Sequence, residues 1–435
     1  MEVGERIRQL RIHKRLTQKN LVKDICSITY LSRIENGQIN PSATFLNKIS
    51  NRLGVDLEDL YYANPSNIEK RILEIIHHYK EKEELIEDDL SYLHIQILEM
   101  HPTEVYLKIF GVLLRFYTKS LNVEEAKTVY HLSNKLIPDN VDNLYKEDYY
   151  YYYLACGNLF YSLQDYLQAN NYYLKSEKLI ADHNGIEAAK LYYNISLVKQ
   201  RLLTNTEVSL YYSNKAYQIF NKYKDKENII IVLITLGVQF QLINDLEKSS
   251  NHLHEALSII NEQDNSKYMK YIAMINYNLG RIHAKNKDLK LAIYHYKKSI
   301  QINHDIHFEQ ENIHALRRMI EIYIELKEWN MVNENLQTAI HLSKEYNLSH
   351  DFILLTLLKV SVYKLNGNDQ LYEKEMTKTL NVAKQSNQYT LVKQISQELG
   401  EHFYDKKAYK KAADFYKNTL KYEEEIYEKI KLIPD

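Results

Sequence analysis

Small residues recur along residues 68–435 at intervals of about 40 positions, and this recurrence constrains the fold more than any other feature of the chain. A second small residue follows each of them about a dozen positions later, accompanied by an aromatic residue or Leu. Two antiparallel helices approach closely where one carries Gly or Ala and larger side chains fill the space beside it. The pattern therefore predicts antiparallel helix pairs stacked in series. The first small residues of the series are Gly157, Ser196, Gly237, Gly280 and Gly400.

The same region shows no alternation of apolar and polar residues of the kind that predicts strands. Between residue 68 and the C-terminus, Pro102 and Pro138 are the main interruptions of helical patterning. We therefore predict an all-α fold with about nine helical pairs between residues 68 and 435. Stacked pairs of this kind curve into a right-handed superhelix with a concave groove.

Residues 16–37 form a second distinctive stretch, which predicts two short helices joined by a tight turn. Thr17 is a suitable N-cap for a helix that begins at Gln18, and that helix is expected to end at Cys26 and Ser27. Ser27 can then cap the next helix, and Gly37 provides its C-terminal stop. This layout is that of a helix-turn-helix.

Further helices are predicted on both sides of this motif, one over residues 4–14 and a fourth that Asn40 caps and Pro41 opens. Asp56 is expected to cap a last short helix over residues 57–61. The sequence Asn-Pro-Ser-Asn at residues 64–67 is rich in turn-forming residues, so it is the predicted linker. It would separate a five-helix domain, residues 1–63, from the repeat domain, residues 68–435.

Three strings carry a family resemblance: Leu-Thr-Gln at residues 16–18, Leu-Ser-Arg-Ile-Glu-Asn-Gly at 31–37 and Leu-Gly-Val at 53–55. With them, residues 3–62 resemble the Cro/repressor-type (XRE) DNA-binding domain, whose third helix enters the major groove. The later repeats resemble lengthened tetratricopeptide (TPR) repeats. Together the two parts resemble the RRNPP regulators of Gram-positive bacteria. The resemblance implies a quorum-sensing transcription regulator that binds operator DNA and a short imported signalling peptide, and that forms a homodimer or higher homo-oligomer.

The recognition helix supplies the candidate DNA contacts. Outward-facing residues near its start are suited to base edges, with an arginine for guanine and apolar groups for the thymine methyl. The start of the preceding helix is suited to a phosphate. The candidate DNA-binding residues are Gln18, Lys19, Ile28, Thr29, Tyr30, Ser32 and Arg33.

The predicted groove supplies the candidate peptide contacts. Asn194 and Asn278 each stand two positions before a small residue, on the inner side of a first helix. An Asn amide both donates and accepts, so it can hold the backbone of an extended peptide. Arginines there can bind a carboxylate by paired hydrogen bonds. The remaining candidates are Asn158, Arg201, Gln241, Arg281, Arg317 and Arg318.

The composition of the chain and the motifs it lacks argue against other functions. The net charge of −1 combines +3 over residues 1–64, from ten basic and seven acidic residues, with −4 elsewhere. This basic excess is modest, so the motif rather than the charge argues for nucleic acid. No P-loop, GxGxxG, HExxH or GxSxG motif is present, and the histidines and two cysteines lack metal-ligand spacing. We therefore predict no catalytic site, metal or cofactor. Because no apolar segment is long enough to span a bilayer, we also predict a cytoplasmic protein without membrane contact.

One rival to the main interpretation is a protein-sequestering role. Repeats of this group can bind a response regulator of a sporulation phosphorelay, so DNA binding would then be secondary. A phosphatase role through a positioned Gln is a more distant alternative. The tyrosines, including the run over residues 149–153, are interpreted as packing residues of the repeats rather than as a base-stacking surface.

Overall fold

The computed structural model describes residues 3–14, 16–55, 57–60, 67–138, 143–202, 206–262, 265–386 and 388–431. Throughout these residues the regular structure is helical and contains no strand, which confirms the all-α prediction. The chain divides into two compact units, Met1–Ile219 and Phe220–Asp435. We describe each unit by itself.

The N-terminal part of the first unit contains four α-helices and a 3-10 turn. The side chains of Thr17 and Ser27 accept hydrogen bonds from backbone N–H groups of the helices that follow them, as predicted. Gly37 adopts the left-handed conformation with φ of 66° and ends the recognition helix. The elements are α1 (Val3–His13), α2 (Gln18–Val22), α3 (Ile28–Glu35), α4 (Ala43–Leu53) and the 3-10 turn Leu57–Leu60.

Two predicted helix boundaries in this part were wrong. Helix α2 ends at Val22 rather than near Cys26, because Asp24 takes a left-handed φ of 62° that a helix cannot continue through. Helix α4 begins after Pro41, because the Ser42 side chain accepts the hydrogen bond from the Phe45 N–H and is the N-cap. The last element, predicted as a helix over residues 57–61, is the 3-10 turn. Its predicted cap, Asp56, and most of the predicted linker lie outside the described residues.

Close contact between α1 and α3 organises the core of this domain. A Cβ atom added at Gly4 would lie 1.9 Å from the Ile34 carbonyl oxygen, so only glycine allows the two backbones to approach this closely. Ile7 and Leu10 of α1 are 0% and 1% exposed and pack in the same apolar cluster as Ile34. The recognition helix is therefore held against α1 along its inner face.

The described residues after position 66 contain eighteen α-helices, the number that nine predicted pairs require. Most of them have 17 residues, which explains why the repeat exceeds the usual length of about 34 residues. The first unit contains α5 (Asn67–Lys82), α6 (Glu87–Gln96), α7 (Thr103–Lys119), α8 (Val123–Leu136), α9 (Lys146–Ser162), α10 (Tyr166–Glu177) and α11 (Ile186–Leu202), and α12 (Thr206–Lys222) begins in it. The second contains α13 (Lys226–Leu242), α14 (Leu246–Asn261), α15 (Met269–Lys285), α16 (Leu289–Asp305), α17 (Asn312–Glu325), α18 (Trp329–Glu345), α19 (Ser349–Leu365), α20 (Asp369–Gln385), α21 (Tyr389–Asp405) and α22 (Tyr409–Lys431).

The predicted small-residue contacts hold these pairs together. A Cβ atom at Gly157 would lie 2.4 Å from the Tyr173 ring, and one at Gly280 would lie 2.6 Å from the Tyr296 ring. The same relation joins two further pairs, and in all four the filling side chain comes sixteen positions after the glycine. The other two contacts are Gly237 with Leu253 and Gly400 with Tyr416.

Replacing Gly280 with Ala should lower the urea midpoint of unfolding by the equivalent of about 1 to 3 kcal/mol, because the new methyl group overlaps the Tyr296 ring. The sign is informative, since Ala in place of Gly otherwise stabilises a helix interior by about 0.5 to 1 kcal/mol. In a Tyr296→Leu background the same change should cost less. An unchanged or higher midpoint for Gly280→Ala alone would contradict the packing.

Candidate functional site

Helix α3 presents an open surface at its N-terminal end. Ile28 is 45% exposed, and Thr29 and Arg33 are also exposed. Ser32, on the same side, is half-buried. Because the Ser27 cap fixes the start of the helix, these side chains project together from its first two turns. The described geometry places four of the candidate DNA-binding residues on one accessible face.

The remaining candidate DNA-binding residues differ in their surroundings. Lys19 is exposed in the first turn of α2. Tyr30 is half-buried, with its ring edge-on to Phe45 at 5.5 Å between centroids. Gln18 is half-buried, and its amide nitrogen donates to the Glu35 carboxylate at 2.7 Å. The side chains of Gln18 and Tyr30 are therefore held by neighbouring helices.

A buried ion pair joins the three helices of the motif. Arg11 on α1 donates from Nε and from a terminal nitrogen to the two Glu35 oxygens, at 2.7 and 2.9 Å. The side chain of Glu35 is only 2% exposed and that of Arg11 is 12% exposed. Arg11 also donates to the Leu16 carbonyl oxygen at 3.1 Å. With Gln18 as a third partner, this network fixes α2 and α3 on α1.

The first unit brings two candidate peptide-binding residues into contact. The Asn158 side-chain oxygen accepts from the Tyr173 hydroxyl at 2.8 Å and from the Asn194 amide nitrogen at 3.2 Å. Both Asn side chains are half-buried, so part of each remains accessible. Arg201 is exposed near the end of α11. The two amides form a polar ladder between neighbouring first helices of the repeats.

The second unit brings together three other candidates. Gln241 donates to the Asn278 backbone carbonyl at 3.2 Å, and Arg281 donates to the Asn278 side-chain oxygen at 3.2 Å. Gln241 and Asn278 are only 1% and 4% exposed. Because both side chains are buried, they are suited to positioning Arg281 rather than to contacting a peptide directly. The sequence pattern did not indicate this burial.

Arg281 and Arg318 line a cleft of about 340 Å³ in the second unit. Its floor includes Tyr296, whose pKa is raised by burial and by nearby Tyr277. Four cationic and two acidic side chains line it, an excess of two positive charges. Arg317 precedes the lining residue Arg318 in sequence, but its half-buried side chain does not line the cleft. The charged lining residues are Arg281, Lys285, Lys287, Arg318, Glu321 and Glu325.

Each cation of this cleft has a partner that holds it in place. Arg318 donates to Glu321 at 2.8 Å, and Lys287 lies 3.0 Å from Glu325. Lys285 donates to the backbone carbonyl of Gln241 at 2.7 Å. A guanidinium has five N–H donors, so Arg318 keeps further donors for a ligand. The cleft can therefore bind a carboxylate through an oriented arginine pair.

A second cleft, of about 480 Å³, lies in the first unit and was missed by the sequence analysis. Lys80 of α5 and Arg115 of α7 both lie against the Tyr151 ring, at 4.8 and 4.9 Å from its centroid. Tyr151 is half-buried, whereas the other four tyrosines of its run are at most 9% exposed and pack in the core as predicted. Tyr79, also in the cleft wall, is buried, which raises its pKa to about 12. No sequence signal pairs these residues, since they come from separate helices.

Metal-binding clusters and membrane-spanning helices are both absent from the described part of the chain. No group of three or more His, Cys, Asp or Glu side chains there could hold a metal ion. None of the helices described is both long enough and apolar enough to cross a membrane.

Known proteins share both parts of this architecture. Residues 4–65 match the family model described as a helix-turn-helix domain. The chain is 23% identical over 418 residues to the transcriptional activator NprA of Geobacillus stearothermophilus, which covers 92% of this chain and 97% of NprA. It is 24% identical over 278 residues to response regulator aspartate phosphatase I of Bacillus subtilis strain 168, covering 62% of this chain and 66% of that protein.

Solved structures share the fold of the helical repeats with this chain. The apo form of the quorum sensor NprR from B. thuringiensis superposes with a TM-score of 0.59 and 17% identity, covering 82% of this chain and 97% of that one. NprR in complex with its cognate peptide NprX gives a TM-score of 0.57 and 18% identity, covering 82% and 99%. The matched helix-turn-helix domain and the repeat fold of these structures confirm that the chain combines a helix-turn-helix domain with helical repeats.

Replacing Glu35 with Ala should destabilise the N-terminal domain by about 3 to 5 kcal/mol, because it leaves the Arg11 charge buried without its partner. Hydrogen exchange of the α3 backbone amides should accelerate accordingly. Lys48→Ala, at an exposed position of α4, is the control and should leave the exchange unchanged. Equal protection in Glu35→Ala and the control would show that the ion pair does not hold the motif together.

Proposed function

We propose that this protein is a sequence-specific DNA-binding regulator whose repeats bind a short signalling peptide that changes its oligomeric state. The observation that carries the proposal is that one chain combines an open α3 reading face with clefts lined by fixed arginines. NprA is described as a transcriptional activator and NprR as a quorum sensor, which supports the same assignment. The protein would work in the cytoplasm, where both DNA and an imported peptide are accessible.

The proposed DNA contacts follow from the chemistry of the exposed α3 face. Arg33 can pair with O6 and N7 of a guanine, and Ile28 or the Thr29 methyl group can contact a thymine methyl. Lys19 and the N-terminus of α2 would bind a backbone phosphate. Tyr30 and Gln18, held by Phe45 and Glu35, would contact the DNA backbone from fixed positions.

Arg33→Ala should weaken binding to the operator by about 1 to 3 kcal/mol while leaving binding to random DNA nearly unchanged. Lys19→Ala should weaken both alike and reduce the salt dependence of binding by about one phosphate contact. The operator would first be selected from random duplexes with the unmodified protein, and affinities would be measured by fluorescence anisotropy. Equal losses on operator and random DNA for Arg33→Ala would refute its assignment to base contact.

Peptide contacts are proposed in each unit separately. In the second, Arg281 and Arg318 would hold a carboxylate, either an acidic side chain or the peptide C-terminus. In the first, the Asn158 and Asn194 amides would contact the peptide backbone without regard to its sequence. Arg201 in the first unit, and Arg317 with the buried pair Gln241 and Asn278 in the second, are proposed to support the contacts of their own unit.

Arg281→Ala and Arg318→Ala should each weaken binding of the signalling peptide by at least about tenfold, since each removes a charge-assisted hydrogen-bond donor. The probes are synthetic peptides matching the C-terminus of any small secreted precursor encoded next to the gene, with titration calorimetry as the measurement. Lys410→Ala, an exposed cation of α22, is the control. Wild-type affinity in both arginine variants would place the peptide elsewhere.

Peptide binding is proposed to act through association of protomers. Half-sites one helical turn apart require recognition helices about 34 Å apart, so the assembly determines which operators are bound. A peptide shifts this equilibrium only as far as it prefers one assembly.

The second candidate function is sequestration of a response regulator. The 24% identity to response regulator aspartate phosphatase I favours it. The test is capture of a purified receiver domain by the Arg33→Ala protein. Capture equal to that by the unmodified protein would show that the repeats act independently of DNA reading, and release of phosphate from a phosphorylated receiver domain would add an enzymatic role.

A further inference from the structure

The outer face of α1 contacts the first repeats of the same compact unit. Successive helix residues are rotated by about 100°, so Glu5, Arg8, Gln9 and Ile12 lie on the side opposite the helix-turn-helix core. Ile12 packs against the apolar cluster built from helices α5–α10. Helix α1 therefore has one face in each domain.

Glu5 caps a helix that cannot cap itself. Its carboxylate accepts a hydrogen bond at 3.1 Å from the backbone N–H of Thr103, the first residue of α7. The N-cap residue of α7 is Pro102, which makes no side-chain cap. A carboxylate at a helix N-terminus is stabilised both by the free N–H groups and by the helix dipole.

Arg8 makes the opposite contact at the end of α8. Its guanidinium donates to the Ile137 carbonyl oxygen at 3.0 Å and to that of Lys135 at 3.3 Å. These carbonyls belong to the last turn and C-cap of α8, where a cation is favoured by the dipole. One turn of α1 thus complements two helix ends of opposite polarity.

Two buried polar side chains, one on α1 and one on α7, have no hydrogen-bond partner among the described residues. Gln9 is 0% exposed, and both its amide nitrogen and its amide oxygen lack a partner there. Thr103 is 3% exposed, and its hydroxyl lacks one too. Burying an unpartnered amide has a free-energy cost, and water would remove that cost if the two surfaces separated.

We propose that this α1 contact is a releasable dock that sets the position of the DNA-binding domain. The two charged caps favour the docked state, and the buried Gln9 amide favours release. The dock leaves Ile28 and Arg33 of α3 exposed, so it does not cover the reading face. Docked, the recognition helix moves with α7 and α8. Released, it is free to adopt other separations from a partner copy.

Hydrogen exchange of the first-turn amides of α7 in the full chain tests the dock directly, because the Thr103 N–H is protected by Glu5. Arg8→Ala and Glu5→Gln should raise the exchange rate by about tenfold, the effect of losing a hydrogen bond to a charged group. Gln9→Leu, of similar size and without polar atoms, should lower the rate by several-fold. Lys48→Ala is the control and should change nothing.

Two readouts separate the dock from general unfolding. The α3 amides should remain protected in all four variants, and slower exchange in Gln9→Leu cannot result from misfolding. Faster exchange in Gln9→Leu, or wild-type rates in both Arg8→Ala and Glu5→Gln, would overturn the proposal. The experiment uses neither peptide nor DNA, so its result is independent of the proposed function.

Discussion

The contact between a small residue on one helix and a large side chain sixteen positions later is the interaction on which the repeats depend. At Gly280 and Tyr296 it brings two 17-residue helices within a distance that no Cβ atom would permit. The same relation recurs at Gly157, Gly237 and Gly400, so four helix pairs share one mode of close contact. The glycine contacts of the second unit also shape its cleft: Arg281 follows Gly280 directly, and Tyr296 lines the floor.

The helix-turn-helix domain depends on a different interaction, a buried ion pair shared among short helices. Helix α2 has only five residues, too few to be stable alone, and the bonds from Arg11 and Gln18 to Glu35 hold it in place. Glu35 makes these bonds on the inner side of α3, while Ile28, Thr29 and Arg33 on its outer face remain exposed. The outer face of α1 then links the domain to the repeats through Glu5 and Arg8. The proposed DNA contacts, the proposed peptide contacts and the α1 contact therefore lie on separate surfaces.

Local chemistry explains what the sequence could predict. The caps at Thr17 and Ser27 depend on neighbouring residues only, and the glycine spacing depends on one helix pair. The predicted start of α4 was wrong because the N-cap is Ser42, one residue after Pro41, rather than Asn40. Burial of Asn278 and the cleft beside Arg115 could not be predicted, since both arise from helices far apart in sequence. The α1 dock was missed for the same reason.

We propose that peptide and DNA binding are coupled in one chain, and a measurement of reciprocal linkage tests this coupling. Operator affinity would be measured with and without saturating peptide, and peptide affinity with and without saturating operator. If the two sites are coupled, each ligand changes the affinity for the other by the same factor, of about 5- to 150-fold as is typical of coupled sites. Affinities that do not change in either direction, with both ligands bound, would contradict it.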